Sequence, residues 1–151
     1  MKFEDLKLHP TLLKAVKDQN YVNPTAIQEQ AIPLILKGND VMGSAQTGTG
    51  KTAAFAIPIL QHLYLDREKK SHARKIKALI ITPTRELAIQ IGESFTTYGR
   101  FTGISNTVIF GGVPQSPQTN ILKSSCYARA RDLVSLLASK GCSFKRDITG
   151  S

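Results

Sequence analysis

Apolar residues recur at helical spacing near the start of the chain. Polar residues separate them between positions 3 and 19, and the apolar set is Leu6, Leu8, Leu12, Leu13 and Val16. Because this spacing places apolar side chains on one helical face, it predicts a helix over 3–19. Residues 20–25 then read Asn-Tyr-Val-Asn-Pro-Thr, and Pro24 pushes Asn23 out of the helical region. We therefore expect a turn there.

A second helix is predicted over 26–36. Thr25 precedes it and is a suitable N-terminal cap. Gly38-Asn39-Asp40 supplies the residues that end a helix. The short apolar run at 41–44, Val-Met-Gly-Ser, is a candidate strand.

A third helix should begin at Gly50 or Lys51 and run to about Tyr64. The face that would pack on a sheet is small and aliphatic, and it consists of Ala53, Ala54, Ile57 and Leu60. Pro58 removes one backbone hydrogen bond within this helix, which predicts a kink. Residues 66–77 include eight charged residues and are interpreted as a solvated loop, with a basic binding patch as the less favoured alternative.

The pattern continues with strands and a further helix. Residues 78–82 form an apolar run typical of a strand buried in a parallel sheet. Thr84 can cap the next helix, whose apolar face carries Leu87, Ile91 and Phe95. Residues 105–110 are a further strand candidate, closed by Gly111-Gly112. This alternation predicts an α/β fold with a parallel sheet, whose ligands would lie at the carboxyl ends of the strands.

Composition is that of one globular domain. The chain has 151 residues, of which 41% are hydrophobic, and it has no apolar run near the roughly 18 residues that span a membrane. Its acidic first residues do not resemble a signal peptide, so we expect a cytoplasmic protein without membrane attachment. The net charge of +9 favours a polyanionic partner such as nucleic acid. Cys126 and Cys142 lack the paired spacing of a zinc site and are interpreted as free thiols.

The strongest chemical signal is the glycine-rich stretch Ala45-Gln46-Thr47-Gly48-Thr49-Gly50-Lys51-Thr52. Such a loop turns several backbone N–H groups toward a phosphate chain, and the next helix adds its positive end. The Lys51 ammonium would reach the outer phosphates, and the Thr52 hydroxyl would hold Mg²⁺. Ala45 stands where the general pattern has its first glycine. A turn without a ligand is the alternative, and the Gly-Lys-Thr ending argues against it.

An upstream glutamine offers a way to select the base. The amide of Gln28 presents a donor beside an acceptor, which complements the N7 and 6-amino edge of adenine but not the two acceptors of guanine. Gln28 would therefore select ATP over GTP, and the ring of Tyr21 could stack on the base. Taken alone, Gln28 is an ordinary exposed helical glutamine, and its meaning comes from the residues around it.

Together these stretches resemble the N-terminal RecA-like domain of DEAD-box ATP-dependent RNA helicases. Phe3 with 20–28 is similar to the Q motif, and 45–52 is similar to motif I, whose leading alanine accounts for Ala45. Pro83-Thr84-Arg85-Glu86-Leu87 resembles motif Ia, and Gly111-Gly112 resembles the paired-glycine motif. The resemblance covers 1–123. It implies a RecA-like parallel β-sheet flanked by helices, as in P-loop NTPases, here an incomplete first helicase domain.

The resemblance also implies a role for each motif. Phe3, Tyr21, Thr25 and Gln28 would hold the adenine end of ATP. The residues from Ala45 to Thr52 would bind its phosphates, with Lys51 and Thr52 as the catalytic pair and Thr52 on Mg²⁺. The RNA backbone would be contacted by Pro83, Thr84, Arg85, Gly111 and Gly112. Hydroxyl, guanidinium and amide donors suit phosphate contacts without reading bases, although Thr84 and Arg85 alone would be read as a cap and a surface ion pair.

The resemblance ends at about Lys123. The family continues into Thr-Pro-Gly-Arg, Asp-Glu-Ala-Asp and Ser-Ala-Thr motifs and a second RecA-like domain, none of which this sequence contains. Residues 124–151 are interpreted as a divergent tail of uncertain order, with a helix-like stretch at 132–140. Residues 126–131 can be encoded by codons that, when read one base later, give Ala-Thr-Pro-Gly-Arg. The tail therefore has three possible origins: a change of reading frame, a boundary chosen for an isolated domain, or a natural truncation.

The departure from the family pattern bears on activity. Hydrolysis in this class needs a carboxylate that holds Mg²⁺ and orients water, and arginines that neutralise the transition state. Without those motifs, we expect this chain alone to bind ATP and RNA, but not to hydrolyse ATP or unwind RNA efficiently. A stand-alone nucleotide- or RNA-binding module is the alternative. A different nucleotide-loop ATPase is disfavoured by the glutamine and Pro-Thr-Arg-Glu-Leu motifs.

Overall fold

The computed structural model describes residues 1–69, 75–109, 117 and 132–138. After a 3-10 turn at Phe3–Leu6, the regular elements in these residues are α1 (Pro10–Asp18), α2 (Ala26–Leu36), α3 (Lys51–Lys69), β1 (Lys75–Thr82), α4 (Arg85–Tyr98), β2 (Ser105–Ile109) and β3 (Asp132–Ala138). None of the helices in this part of the chain is long and apolar enough to cross a membrane.

The N-terminal segment is divided, so the single helix predicted over 3–19 is wrong. The 3-10 turn ends at Lys7, whose φ of 57° is left-handed. His9 is extended, as expected for a residue that precedes proline, and Pro10 then opens α1. The ring of His9 accepts a hydrogen bond from the Thr11 N–H at 3.3 Å and so caps α1. Apolar periodicity alone did not reveal this break.

The middle helices follow the predicted pattern at their starts. The bounds of α2 are those predicted, with Thr25 in the extended N-cap position. The start of α3 at Lys51 is also confirmed, but α3 continues to Lys69. Because β1 begins at Lys75, the predicted loop over 66–77 is wrong at both ends. The helix is continuous through Pro58, and the kink there stays a prediction.

The described strands form a parallel sheet in the order β1-β3-β2. Its parallel character confirms the prediction, but the middle strand comes from the stretch interpreted as helix-like. Thr82 of β1 pairs with Ala138, and Ile109 of β2 pairs with Leu137. A short apolar run suits a helix or a strand equally well, and between two strands this run forms hydrogen-bonded ladders on both sides.

The strand predicted at 41–44 is absent, because residues 41–46 are irregular. Val41 is 38% exposed and Met42 is fully exposed, so neither side chain packs as it would in a buried strand. A strand needs a neighbouring strand to satisfy its backbone groups, and the described strands pair only with one another.

The helices build a core against one face of the sheet. Its fully buried large side chains include Leu12, Ile32, Ile57, Leu60 and Phe95. Alternate β1 residues, Ala78 and Ile80, pack against this core. On α4 the buried face contains Ala88, Ile91 and Phe95, while the predicted face residue Leu87 is 36% exposed.

The other face of β1 is open to solvent, contrary to the expectation of a strand buried on both sides. Leu79 is 47% exposed and Ile81 is 65% exposed. Exposed neighbouring apolar side chains favour association between molecules.

Replacing both Leu79 and Ile81 with threonine should therefore reduce self-association. Threonine suits a strand, and substitution of exposed residues changes stability by only about 0.5 kcal/mol each. Sedimentation over a range of protein concentrations would measure the change. Ile80→Thr is the control, because Ile80 packs on the core and its replacement should lower the melting temperature instead. A wild-type chain that is monomeric at all concentrations would contradict this expectation.

Candidate nucleotide-binding site

The glycine-rich loop leads directly into the first turn of α3. Gly48 and Gly50 have positive φ angles of 81° and 79°, in the region that favours glycine. A Cβ atom on Gly50 would lie 2.3 Å from Nε2 of Gln28. The close approach of Gln28 to the loop backbone therefore requires glycine at position 50.

Side chains hold the loop by its carbonyl groups. Among the described residues, the donors to these carbonyls are Lys51 Nζ to Ala45, Thr49 Oγ1 to Gln46 at 2.6 Å, Thr25 Oγ1 to Thr49 at 2.8 Å and Gln28 Nε2 to Gly50 at 3.1 Å. Two of these donors, Thr25 and Gln28, come from the start of α2. The segment predicted to recognise adenine is thus bonded to the phosphate loop itself.

The backbone N–H groups of the loop differ from its carbonyl groups in their bonding. In the described part of the chain, the backbone N–H groups of residues 47, 48 and 50–52 donate to no protein acceptor. They are followed by α3, whose first-turn amides carry the positive end of the helix dipole. Lys51 is exposed and Thr52 is half-buried. Engaged carbonyls, available amides and one ammonium form a site with the polarity that a phosphate chain requires.

Gln28 is a buried residue of this site, not the exposed helical glutamine of the isolated reading. It is 4% exposed. Its Oε1 accepts a hydrogen bond from the Thr25 N–H at 3.0 Å, while its Nε2 donates to Gly50. Both polar atoms therefore have protein partners. Nε2 has a second N–H and Oε1 a second lone pair, so the predicted reading of adenine does not require these two bonds to break.

The two aromatic residues predicted to hold the adenine end, Phe3 and Tyr21, both contact other parts of the protein. Phe3 is 3% exposed and belongs to the hydrophobic core, which leaves its ring little surface for a base. Tyr21 is 47% exposed, and its ring lies against that of Tyr98, with centroids 6.5 Å apart. The structure thus brings Thr25 and Gln28 to the loop, and it packs Phe3 and Tyr21 against other residues.

The segment predicted to contact RNA follows β1 directly. Pro83, Thr84 and Arg85 are all exposed. The Thr84 hydroxyl accepts a hydrogen bond from the Leu87 N–H at 3.2 Å, which confirms the predicted cap of α4. The buried Thr82 hydroxyl donates to the Thr84 carbonyl at 2.9 Å and so fixes the turn.

Several predicted residues lie outside the described residues. They are Gly111, Gly112, Cys126 and Cys142. The described end of β2, Ile109, pairs with Leu137, and the end of β1, Thr82, pairs with Ala138. The carboxyl ends of all three strands therefore lie side by side at the same end of the sheet.

A family model described as DEAD/DEAH box helicase matches residues 25–139. The chain belongs to the DEAD/DEAH box helicase family. The helicase-family match contains the phosphate loop, both edge strands and β3. It thus extends beyond Lys123, where the individually recognisable motifs end.

Other helicases of this family are similar over most of the chain. The ATP-dependent rRNA helicase RRP3 of Saccharomyces cerevisiae is 48% identical over 120 residues, which are 80% of this chain and 23% of RRP3. The ATP-dependent RNA helicase CshA of Limosilactobacillus reuteri is 47% identical over 123 residues, which are 82% of this chain and 24% of CshA. The chain therefore spans about a quarter of the length of these curated relatives.

A solved helicase structure has a similar fold. The crystal structure of a hypothetical ATP-dependent RNA helicase from Sulfolobus tokodaii superposes with a TM-score of 0.67 at 32% sequence identity. The superposition covers 85% of this chain and 34% of that one.

Proposed function

We propose that this chain is the ATP- and RNA-binding part of a DEAD-box ATP-dependent RNA helicase, with a RecA-like arrangement of its sheet and helices. On its own it binds Mg²⁺ and adenine nucleotide without turning over ATP at helicase rates. The observation that supports this most is the polarity of the loop. Its carbonyls are bonded to Thr25, Gln28, Thr49 and Lys51, while its amides are available to an anion.

Each part of the loop has a distinct task in this proposal. The amides of 47–52 and the first turn of α3 hold the phosphate oxygens. Lys51, which now donates to the Ala45 carbonyl, exchanges that partner for an outer phosphate. The Thr52 hydroxyl, without a protein partner in the described part of the chain, is a suitable oxygen ligand for Mg²⁺. Bound Mg²⁺ would neutralise charge on the outer phosphates.

The sequence lacks the acidic motif that the family uses for turnover. The Asp-Glu-Ala-Asp motif is absent from the sequence, and no group of three or more metal-binding side chains occurs among the described residues. In this family the Asp-Glu-Ala-Asp motif supplies the carboxylate that orients the attacking water. This supports binding without efficient hydrolysis or unwinding by the chain alone.

RNA would be bound through its backbone. The exposed turn at Pro83-Thr84-Arg85 lies at the carboxyl ends of the strands, and Gly111-Gly112 come shortly after β2 in the sequence. Hydroxyl and guanidinium groups contact phosphates without reading bases. The net charge of +9 adds a general attraction for the polyanion.

Calorimetric titration with ADP and GDP, each with Mg²⁺, tests the nucleotide part of the proposal. We expect ADP to bind about tenfold more tightly, because a matched base edge contributes roughly 1–3 kcal/mol. Equal affinities would contradict adenine selection, and absence of binding would contradict the site.

A coupled ATPase assay with and without RNA tests the proposal that this chain alone does not turn over ATP at helicase rates. We expect no RNA-stimulated turnover from this chain. Under the same conditions, two unrelated single-stranded RNA sequences should bind with similar affinity and weaken together as salt rises. Helicase-like ATP turnover would contradict the proposal that this chain binds ATP without hydrolysing it efficiently. Strong discrimination between the two RNAs would contradict recognition through the RNA backbone.

A further inference from the structure

Thr82 is a polar residue at a position of β1 where the pattern of the strand favours an apolar one. Alternate residues of β1 face the core, and Ala78 and Ile80 at these positions pack against it. Thr82 is the next position of this series and is 2% exposed. Burial of a hydroxyl group is unfavourable unless it has a hydrogen-bond partner. Thr82 has such a partner, because its Oγ1 donates to the carbonyl oxygen of Thr84 at 2.9 Å.

Two donors from different elements hold the carbonyl group of Thr84. The Thr82 hydroxyl belongs to the last residue of β1, and the second donor, the Ala88 N–H at 3.1 Å, belongs to the first turn of α4. Pro83 stands between the two threonines and has no backbone N–H with which to make such a bond. The Thr82 side chain therefore links the end of the strand to the start of the helix.

The same turn sets the orientation of the Thr84 hydroxyl. Its Oγ1 accepts from the Leu87 N–H at 3.2 Å, and a hydroxyl group can donate its own hydrogen while it accepts. Thr84 is exposed, and among the described residues its hydroxyl donates to no protein acceptor. Because the carbonyl and the hydroxyl belong to one residue, a bond that fixes the carbonyl also restricts where the hydroxyl lies.

We propose that Thr82 is a positioning residue for the RNA-contact turn at Pro83-Thr84-Arg85. The inference deepens the proposed function and rests on it. The buried Thr82 hydroxyl does not touch RNA, but it holds Thr84 so that the exposed hydroxyl meets a phosphate oxygen in a fixed orientation. Without this bond the turn must be ordered when RNA binds. RNA affinity should then fall about three- to tenfold, the equivalent of one typical net hydrogen bond.

Hydrogen exchange without any ligand tests whether Thr82 holds the turn. The amides of Leu87 and Ala88 report on it directly, since Thr84 supplies the acceptor for both. Thr82→Val keeps the branched shape but removes the hydroxyl, and we expect these two amides to exchange about three- to tenfold faster. Thr82→Ala should give a similar increase, whereas Thr82→Ser retains a hydroxyl and should exchange like the wild type.

Thr102→Val is the matched control for these variants. Thr102 is also a buried threonine, and its hydroxyl donates to the carbonyl of Gly99, which caps the other end of α4. Its replacement should lower the melting temperature but leave the exchange of Leu87 and Ala88 unchanged. Unaltered exchange in Thr82→Val, or equal acceleration in Thr82→Ser or Thr102→Val, would overturn the inference.

Titration with a short single-stranded uridine RNA at several salt concentrations tests the role in binding. We expect Thr82→Val to bind about three- to tenfold more weakly at every salt concentration. The salt dependence should be unchanged, because no cation is removed. Thr82→Ser and Thr102→Val should bind RNA as the wild type does. A loss shared by either of these two variants, or an altered salt dependence in Thr82→Val, would overturn the proposal.

The RNA titration also separates this inference from the function on which it rests. A wild-type chain that does not bind the RNA would reject the proposed RNA contact, and with it any positioning role. A wild-type chain that binds, with equal affinity in Thr82→Val, would leave the proposed function intact and reject the role of Thr82 alone. ADP titration without RNA should give the same affinity in all variants, and a loss in Thr82→Val would show a general defect and overturn the proposal.

Discussion

Replacing Lys51 with alanine is expected to weaken ADP binding by about 30-fold, because a hydrogen bond to a charged group contributes roughly 1.5–3 kcal/mol. The ammonium is the one side-chain cation placed on the loop among the described residues, and it is exposed. Its removal should lower the melting temperature very little. Calorimetric titration with ADP and Mg²⁺ measures the loss, and thermal unfolding checks the fold.

Lys37→Ala is the matched control for this experiment. Lys37 is also exposed, but it stands at the end of α2. If charge at the loop is what matters, the control should bind ADP within about twofold of the wild type, as expected for a distant surface charge. Equal losses in the two variants would show a general charge effect, and a Lys51→Ala variant with unchanged affinity would contradict the assigned role.

Gly50→Ala is expected to impair both stability and binding. The new Cβ would lie 2.3 Å from Nε2 of Gln28 on a backbone with a φ of 79°. The left-handed conformation alone costs about 1 kcal/mol for alanine, and displacing Gln28 breaks its bond to the loop. We expect the free energy of unfolding to fall by about 2 kcal/mol and ADP affinity to fall about tenfold.

Gly48→Ala separates the two causes. Gly48 has nearly the same φ of 81°, but a Cβ there would meet nothing within 4 Å. It should therefore show only the conformational cost of about 1 kcal/mol. Urea unfolding of both variants gives the difference. Equal destabilisation would mean that the contact between Gln28 and the loop contributes nothing measurable.

Local signals predicted the parts of the fold that depend on local interactions. The bounds of α2, the start of α3 at Lys51 and the cap of α4 at Thr84 were all predicted from residues next to one another in the chain. The phosphate loop was located by its glycines and its Gly-Lys-Thr ending. Its contact with Gln28 was unforeseen, because a glutamine amide suits a base edge and a backbone carbonyl equally well.

Features set by distant parts of the chain were not predicted. The stretch 132–138 is a strand because β1 and β2 lie on either side of it, and its short apolar pattern does not contain that information. The irregular conformation of 41–46 likewise depends on which strands the sheet contains. Lys7 breaks the first helix with a left-handed φ, although a lysine carries no signal for that conformation.

The central claim is that the loop at 45–52 binds a phosphate chain through its amides. Amide chemical shifts in a ¹⁵N-labelled sample, recorded during titration with ADP and Mg²⁺, test this most directly. We predict the largest shifts at the amides of 47–52 and at the side-chain amide of Gln28, with smaller changes at the far end of α3. Shifts confined to other residues, or none at saturating ADP, would contradict the account.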